Sequence, residues 1–177
     1  MAAQRFFIQP IAFQSRSATC RGDLYLPAAA ERPPVVIMAH GFGAERSFRL
    51  PAFAERFAED GLATFLFDYR GFGDSEGTEQ LVDPFRHRAD WLAAVDHVRD
   101  LESVDGDRVA LWGSSFSGGH VIETAARREV DAVAAQVPFV DGLATLLHLA
   151  RNSGIGYPLE ATKHGLKDAV RGLFRRS

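Results

Sequence analysis

The stretch Leu111–His120, "LWGSSFSGGH", ends an apolar run in small residues and then resumes with a helix-like pattern. A serine at such a strand-to-helix corner sits on a strained backbone with its hydroxyl presented outward, the context a nucleophile elbow requires. Its neighbours must be small so that strand and helix can approach. Gly113 stands two residues before Ser115, and Ser117, Gly118 and Gly119 follow. The usual pattern is G-x-S-x-G; here the fifth position is serine, with glycine one place later. The chemistry would be attack by Ser115 Oγ on a carbonyl carbon, giving a covalent acyl-enzyme. A plain glycine-rich turn is the structural alternative. Phosphate or nucleotide binding at a helix N-terminus is a third reading. It loses ground because the turn has no lysine and no G-x-G-x-x-G.

A second feature, "AHGFG" at residues 39–43, ends an earlier apolar run. Glycines at 41 and 43 permit the backbone angles that turn an N–H outward. The N–H of Phe42, with that of Phe116 directly after the serine, would form an oxyanion hole, each donor contributing ~3 kcal/mol to the transition state. His40 is read as a loop histidine bonded within its own turn, because a general base needs side-chain access to Ser115.

These residues need a scaffold, and the rest of the chain supplies its pattern. "QRFFIQPIAFQ" and "ATCRGDLYLP" predict a strand pair around the polar "SRS" break. "VVIMAHG", "ATFLFDYRG" and "RVALWGSS" are continuous apolar runs, as expected of parallel strands covered on both faces, and "DAVAAQVPF" closes the series. Between them a helix is expected near Pro51, with Phe53 and Phe57 on one face and Gly61 at its end. A second should start at Asp83–Pro84, with Phe85, Leu92, Val95, Val98 and Leu101 as its inward stripe. A third follows the serine, with Val121, Ile122 and Ala125 inward. Strand and helix alternating in this way predict a doubly wound α/β sheet whose crevice lies at the carboxyl ends of the strands.

Composition sets the class. The 177 residues are 46% hydrophobic and 24% charged, with a formal net charge of -3, which is ordinary for one globular domain. With a pI of about 6.1, there is no basic footprint for nucleic acid or an anionic membrane. The single cysteine, Cys20, excludes an internal disulfide framework and fits a reducing compartment. It is read as a buried strand residue. No secretory signal or spanning stretch is evident, so a cytoplasmic protein is expected.

"HGFG", "DYRGFGDSEG" and "GSSFSGG", in that order and each after an expected strand, closely resemble the α/β-hydrolase superfamily, especially its serine esterase and serine aminopeptidase-like branches. The resemblance runs from about Phe6 to Phe139. It implies a single α/β domain over residues 1–177: a mostly parallel sheet with helices on both faces over 1–139, an N-terminal antiparallel strand pair, and a helical segment, 140–177, read as the start of a lid. It also implies Ser115 as nucleophile, Phe42 and Phe116 as backbone donors, and Asp68, Arg70 and Asp74 as residues that fix the loop beside the site. Neither cofactor nor metal is called for. The substrate expected is a small-molecule ester or amide.

In this superfamily the acid and the histidine follow the nucleophile, after later strands. At ~30 residues per βα unit, two further units would need on the order of 60 more residues, so the chain is expected to be truncated. Asp141 and His164 are the acid and base candidates in the correct order, with His164 in a helix-like segment. His120 and His148 are expected on helices leading away from the turn. A serine without an imidazole is a poor nucleophile. The second expectation is therefore a non-catalytic remnant or interaction module, whose incomplete sheet exposes an edge that an oligomer would cover.

Overall fold

The computed structural model describes residues 5–153 together with Gly156 and Lys163. His164 lies outside the described residues. The chain divides into two compact units, Met1–Phe139 and Val140–Ser177.

The first unit opens with β1 (Phe6–Ser15) and β2 (Ala18–Pro27), an antiparallel pair. Its turn passes through Arg16 at φ 56°, inside the "SRS" break. Four more strands follow: β3 (Pro34–Ala39), β4 (Ala63–Phe67), β5 (Asp105–Ser114) and β6 (Ala132–Gln136). The order across the sheet is β1-β2-β4-β3-β5-β6. β3 pairs in parallel with β4 and β5, and β5 with β6, whereas β2 meets β4 antiparallel. Every residue of β4 is buried, which is why its sequence is an unbroken apolar run.

Helices cover both faces. α1 (Leu50–Glu59) lays Leu50, Ala54 and Ala58 against Met38 and Leu66 on one side. On the other, α2 (Pro84–Arg99) and α3 (Phe116–Ala125) bury Trp91, Val95, Val98 and Val121 against Ile37, Phe65 and Leu111. Asp83 starts α2 by accepting the N–H groups of Phe85 (3.0 Å) and Arg86 (3.2 Å), satisfying two of the free donors of the first turn.

The inward faces differ from the sequence expectation in three places. On α1 the small residues Ala54 and Ala58 face the sheet so that the helix can sit close, and Phe53 leans outward onto Trp112 instead, at 5.0 Å. Phe85 is 69% exposed, because the buried stripe of α2 begins at His87 and runs through Asp90 and Trp91. On α3, Ile122 is 45% exposed, while His120 and Thr124 take the inward positions. In each case a polar or small residue with a place in the interior displaced a larger apolar one from the face that hydropathy alone assigns.

The register matters most for function. Ala39 stands opposite Phe67 on one side and Gly113 on the other. The three central strands therefore end level, and the chain leaves them at His40, Asp68 and Ser114 along one edge of the sheet. Cys20 is fully buried in β2, and that burial pushes its thiol pKa far up, so it behaves as a small apolar residue.

The second unit contains α4 (Gly142–Ser153). Asp141 caps it: Oδ1 accepts the Ala144 N–H at 2.9 Å, and its carbonyl accepts from the Thr145 hydroxyl at 2.7 Å. Among the described residues no helix is long and apolar enough to cross a membrane.

Candidate active site

Ser115 occupies the corner between β5 and α3 with φ 57° and ψ -116°, a conformation that L-residues adopt only under constraint. Three backbone bonds impose it. The Ser115 N–H donates to the Gln136 carbonyl at 2.9 Å, and its own carbonyl accepts the N–H groups of Phe139 (2.8 Å) and Gly119 (3.2 Å). The corner is thus pinned to the segment that leaves β6, while the residue itself stays exposed. Gly113 is required by contact: a Cβ there would lie 2.5 Å from the Ser117 carbonyl oxygen. Ser117, at the fifth position of the motif, is fully buried against this glycine. Serine is small enough for the place.

The loop after β3 approaches the same corner. A Cβ on Gly41 would lie 3.8 Å from Ser115 Cβ, and Gly43 takes φ 63° to carry the chain onward. The rings of Phe42 and Phe116 meet edge to face at 5.7 Å, bringing together the two residues whose N–H groups the sequence nominates. Phe116 opens α3, and the N–H groups of a first helical turn have no partner within their helix.

His40 is 2% exposed, and Nδ1 donates to the Gly41 carbonyl at 3.0 Å. Burial lowers its pKa to about 4, so it is a neutral ring, held by its own turn through Nδ1 and by the Tyr69 N–H, which donates to Nε2 at 3.5 Å. No described hydrogen bond joins an imidazole to the Ser115 hydroxyl. His87 and His120 also lie in the interior, 1% and 5% exposed, with burial again pushing each pKa down to about 4. His87 stacks on Tyr69 at 4.3 Å, and His120 meets Phe116 edge-on at 4.5 Å. These three rings form the floor beneath the corner. Trp91 Nε1 donates to the Tyr69 hydroxyl at 2.8 Å, locking the ring they surround.

The loop motif "DYRGFGDSEG" divides its charged residues between two tasks. Asp68 and Asp74 both bind Arg46, from the loop after β3. Arg46 donates its N–H to Asp68 Oδ1 at 2.6 Å, Nη1 to Asp68 Oδ2, Nη2 to Asp74 at 2.8 Å and Nε to Asp23 at 2.9 Å. Arg70 turns inward instead, to Asp90 at 2.6 and 2.9 Å and to the Ser15 hydroxyl at 2.7 Å. Arg46 and Asp90 were not singled out from the sequence. Their partners lie 20 to 28 positions away, and no local pattern announces a pairing across that distance.

Beside Ser115 a cleft of about 230 Å³ opens between the loop after β3 and the start of α1. Asp141 belongs to the second unit, exposed and engaged as a helix cap. His148 lies on α4, where its Nε2 accepts from Asn152 at 2.8 Å.

Known proteins are similar to this chain in sequence and in fold. The quorum-quenching protein AidA of Acinetobacter baumannii is 46% identical over 137 residues, covering 76% of this chain and 45% of that protein. The thiohydrolase aneE of Aspergillus aculeatus is 41% identical over 106 residues, covering 59% of this chain and 33% of aneE. The crystal structure of the α/β hydrolase GrgF from Penicillium superposes with a TM-score of 0.72 at 30% identity, over 81% of this chain and 52% of GrgF. The chain thus spans about half or less of the length of these relatives. The family model described as serine aminopeptidase, S33, matches residues 30–145, a range that takes in the loop after β3, the Arg46–Asp68 clamp and the Ser115 corner. With fold, motif order and family match in agreement, this chain belongs to the serine aminopeptidase S33 family of the α/β-hydrolase superfamily.

Proposed function

We propose that Ser115 is the nucleophile of an acyl-transfer hydrolase acting on carboxylic esters or small amides. The observation that carries this is the backbone of Ser115 itself: φ 57°, ψ -116° in an exposed residue, held by three backbone bonds at the end of a buried sheet. Strain of this kind costs of order 1–3 kcal/mol and persists only where the surroundings enforce it. In the reaction, Oγ attacks the carbonyl carbon while its proton passes to a base. The N–H groups of Phe42 and Phe116 receive the oxyanion, the leaving group departs with a proton, and water then cleaves the acyl-enzyme. The acid and base are either Asp141 and His164 or groups beyond this chain. No cofactor takes part, and the partner is a small molecule in aqueous solution, in keeping with a cytoplasmic enzyme.

Labelling with a fluorophosphonate probe tests the assignment. The wild-type chain should be modified at one residue and the Ser115→Ala chain should not; modification that survives the substitution rejects Ser115.

A second reading, a non-catalytic interaction module, is favoured by one observation. β6 is the last strand in the sheet order, and all its residues except Ala135 are exposed, followed by Val137 at 81% exposure. A strand with one open edge of this kind invites another. Under this reading the chain self-associates or takes a partner strand; a stable monomer by light scattering at tens of micromolar removes it.

A further inference from the structure

The cleft beside Ser115 has a charge that the proposed reaction does not use. Among the described residues that line it, Arg49 is the one cationic side chain, since burial keeps His40 neutral. Arg49 makes no ion pair among the described residues, in contrast to Arg46 three positions earlier, whose guanidinium is divided among Asp23, Asp68 and Asp74. Two cations in one short loop are thus treated oppositely: one is spent on holding the loop, the other is left at the mouth of the cleft. Arg49 is the residue immediately before α1, in the left-handed region at φ 65°, with its N–H donating to the Ser47 carbonyl at 3.1 Å.

The remaining wall is aromatic. Phe53 and Trp112 lie 5.0 Å apart, and Phe48 is 62% exposed beside them. Among the described residues no carboxylate lines this cleft. At about 230 Å³ it lies below the volume usual for a drug-sized ligand, so its occupant is a short or single-ring group. A guanidinium presents planar paired donors that match a carboxylate, and aromatic rings accept an apolar stem without competing for the charge.

We propose that this cleft selects an acyl group that carries a free carboxylate, with Arg49 as the specificity-determining cation and Phe53 and Trp112 bordering the apolar stem. The preferred substrate class is then a half-ester or half-amide of a dicarboxylic acid whose stem is short or carries a single ring. The proposal rests on the Ser115 reading only in treating the cleft as the acyl site; the recognition itself is a binding property.

It is therefore tested by binding to the full chain, without turnover. The probes are 4-phenylbutyrate and its neutral amide, which share a shape and differ in charge, with calorimetry as the readout. The anion should bind about fivefold more tightly, the scale of a partly exposed ion pair. Arg49→Gln should equalise the two, Arg49→Lys should restore part of the preference, and added salt should narrow it. Binding is read without any modification of Ser115, which separates this result from the labelling experiment. Equal affinities in the wild type, a preference that survives Arg49→Gln, or no saturable binding of the anion overturns the proposal. Arg49 is exposed, so both variants should retain the wild-type circular dichroism.

Discussion

Arg46 and Asp68 are joined twice, the carboxylate receiving both the Arg46 backbone N–H at 2.6 Å and its guanidinium Nη1. Asp68 is 1% exposed and directly follows β4, while Arg46 belongs to the loop after β3. The pair therefore ties the two loops that border the Ser115 corner to each other. Burial raises the Asp68 carboxyl pKa and the Arg46 bonds oppose that rise. Arg46 keeps the charge tolerable where solvent cannot.

Removing this cation should be costly out of proportion to its exposure. Arg46→Ala leaves Asp68 buried with one backbone donor, and loss of a partner from a buried ion pair costs about 3–5 kcal/mol. Urea denaturation of the variant should show that loss. Arg46→Lys should recover only part, because one ammonium cannot reach three carboxylates. A destabilisation below about 1 kcal/mol for Arg46→Ala would mean the clamp is incidental.

The corner should trade stability for geometry. Ser115→Gly relieves a conformation that glycine tolerates and other residues do not, so it is expected to raise the unfolding free energy by about 1 kcal/mol while abolishing fluorophosphonate labelling. Ser115→Ala keeps the Cβ and should stay near the wild type in stability. Equal stability of the Gly and Ala variants would show the backbone to be unstrained.

Acid should destabilise the unit beneath the corner. His40, His87 and His120 each have a folded pKa of about 4, below the ordinary value of 6.5, with burial as the largest cause. Between these values the unfolded chain binds protons that the folded chain refuses. Stability is complete above about pH 6.5 and falls as the pH drops toward 4, by about 1.4 kcal/mol per pH unit for each histidine. Thermal melts from pH 7 to 4.5 should track this decline, and His87→Phe, which can still stack on Tyr69, should make it shallower. A flat profile over that range contradicts the buried neutral state.

The source of the base can be read from the labelling rate. If Asp141 and His164 complete the relay, His164→Gln should slow fluorophosphonate modification of Ser115 by at least about 100-fold. An unchanged rate assigns the base to a group outside this chain. His148→Gln serves as the control, since His148 is occupied by Asn152 on α4.

Much of the fold was legible because burial writes itself into sequence. "VVIMA" and "ATFLF" are continuous apolar runs since both of their faces are covered, and Asp83–Pro84 starts α2 because the first turn needs an acceptor and has no use for the proline N–H. The Ser115 corner was also legible, because Gly113 has no room for a side chain and that leaves a mark on residue choice. Helix faces were less so: hydropathy put Phe85 and Ile122 inside, but the interior around Tyr69 accepts the neutral imidazoles of His87 and His120 instead.

What the sequence alone determined was a set of local necessities: alternating strands and helices, a serine at a tight corner, and glycines in the loop after the first parallel strand. Only the tertiary structure decided which of these meet. The order β1-β2-β4-β3-β5-β6 sets β3 between β4 and β5, and the register of Ala39 with Phe67 and Gly113 ends all three level. Gly41 thereby comes to Ser115, Arg46 to Asp68, and Arg49 to the cleft, pairings between residues far apart in the chain. Local propensity carries no information about such contacts, because they are fixed by the packing of whole elements against a shared core.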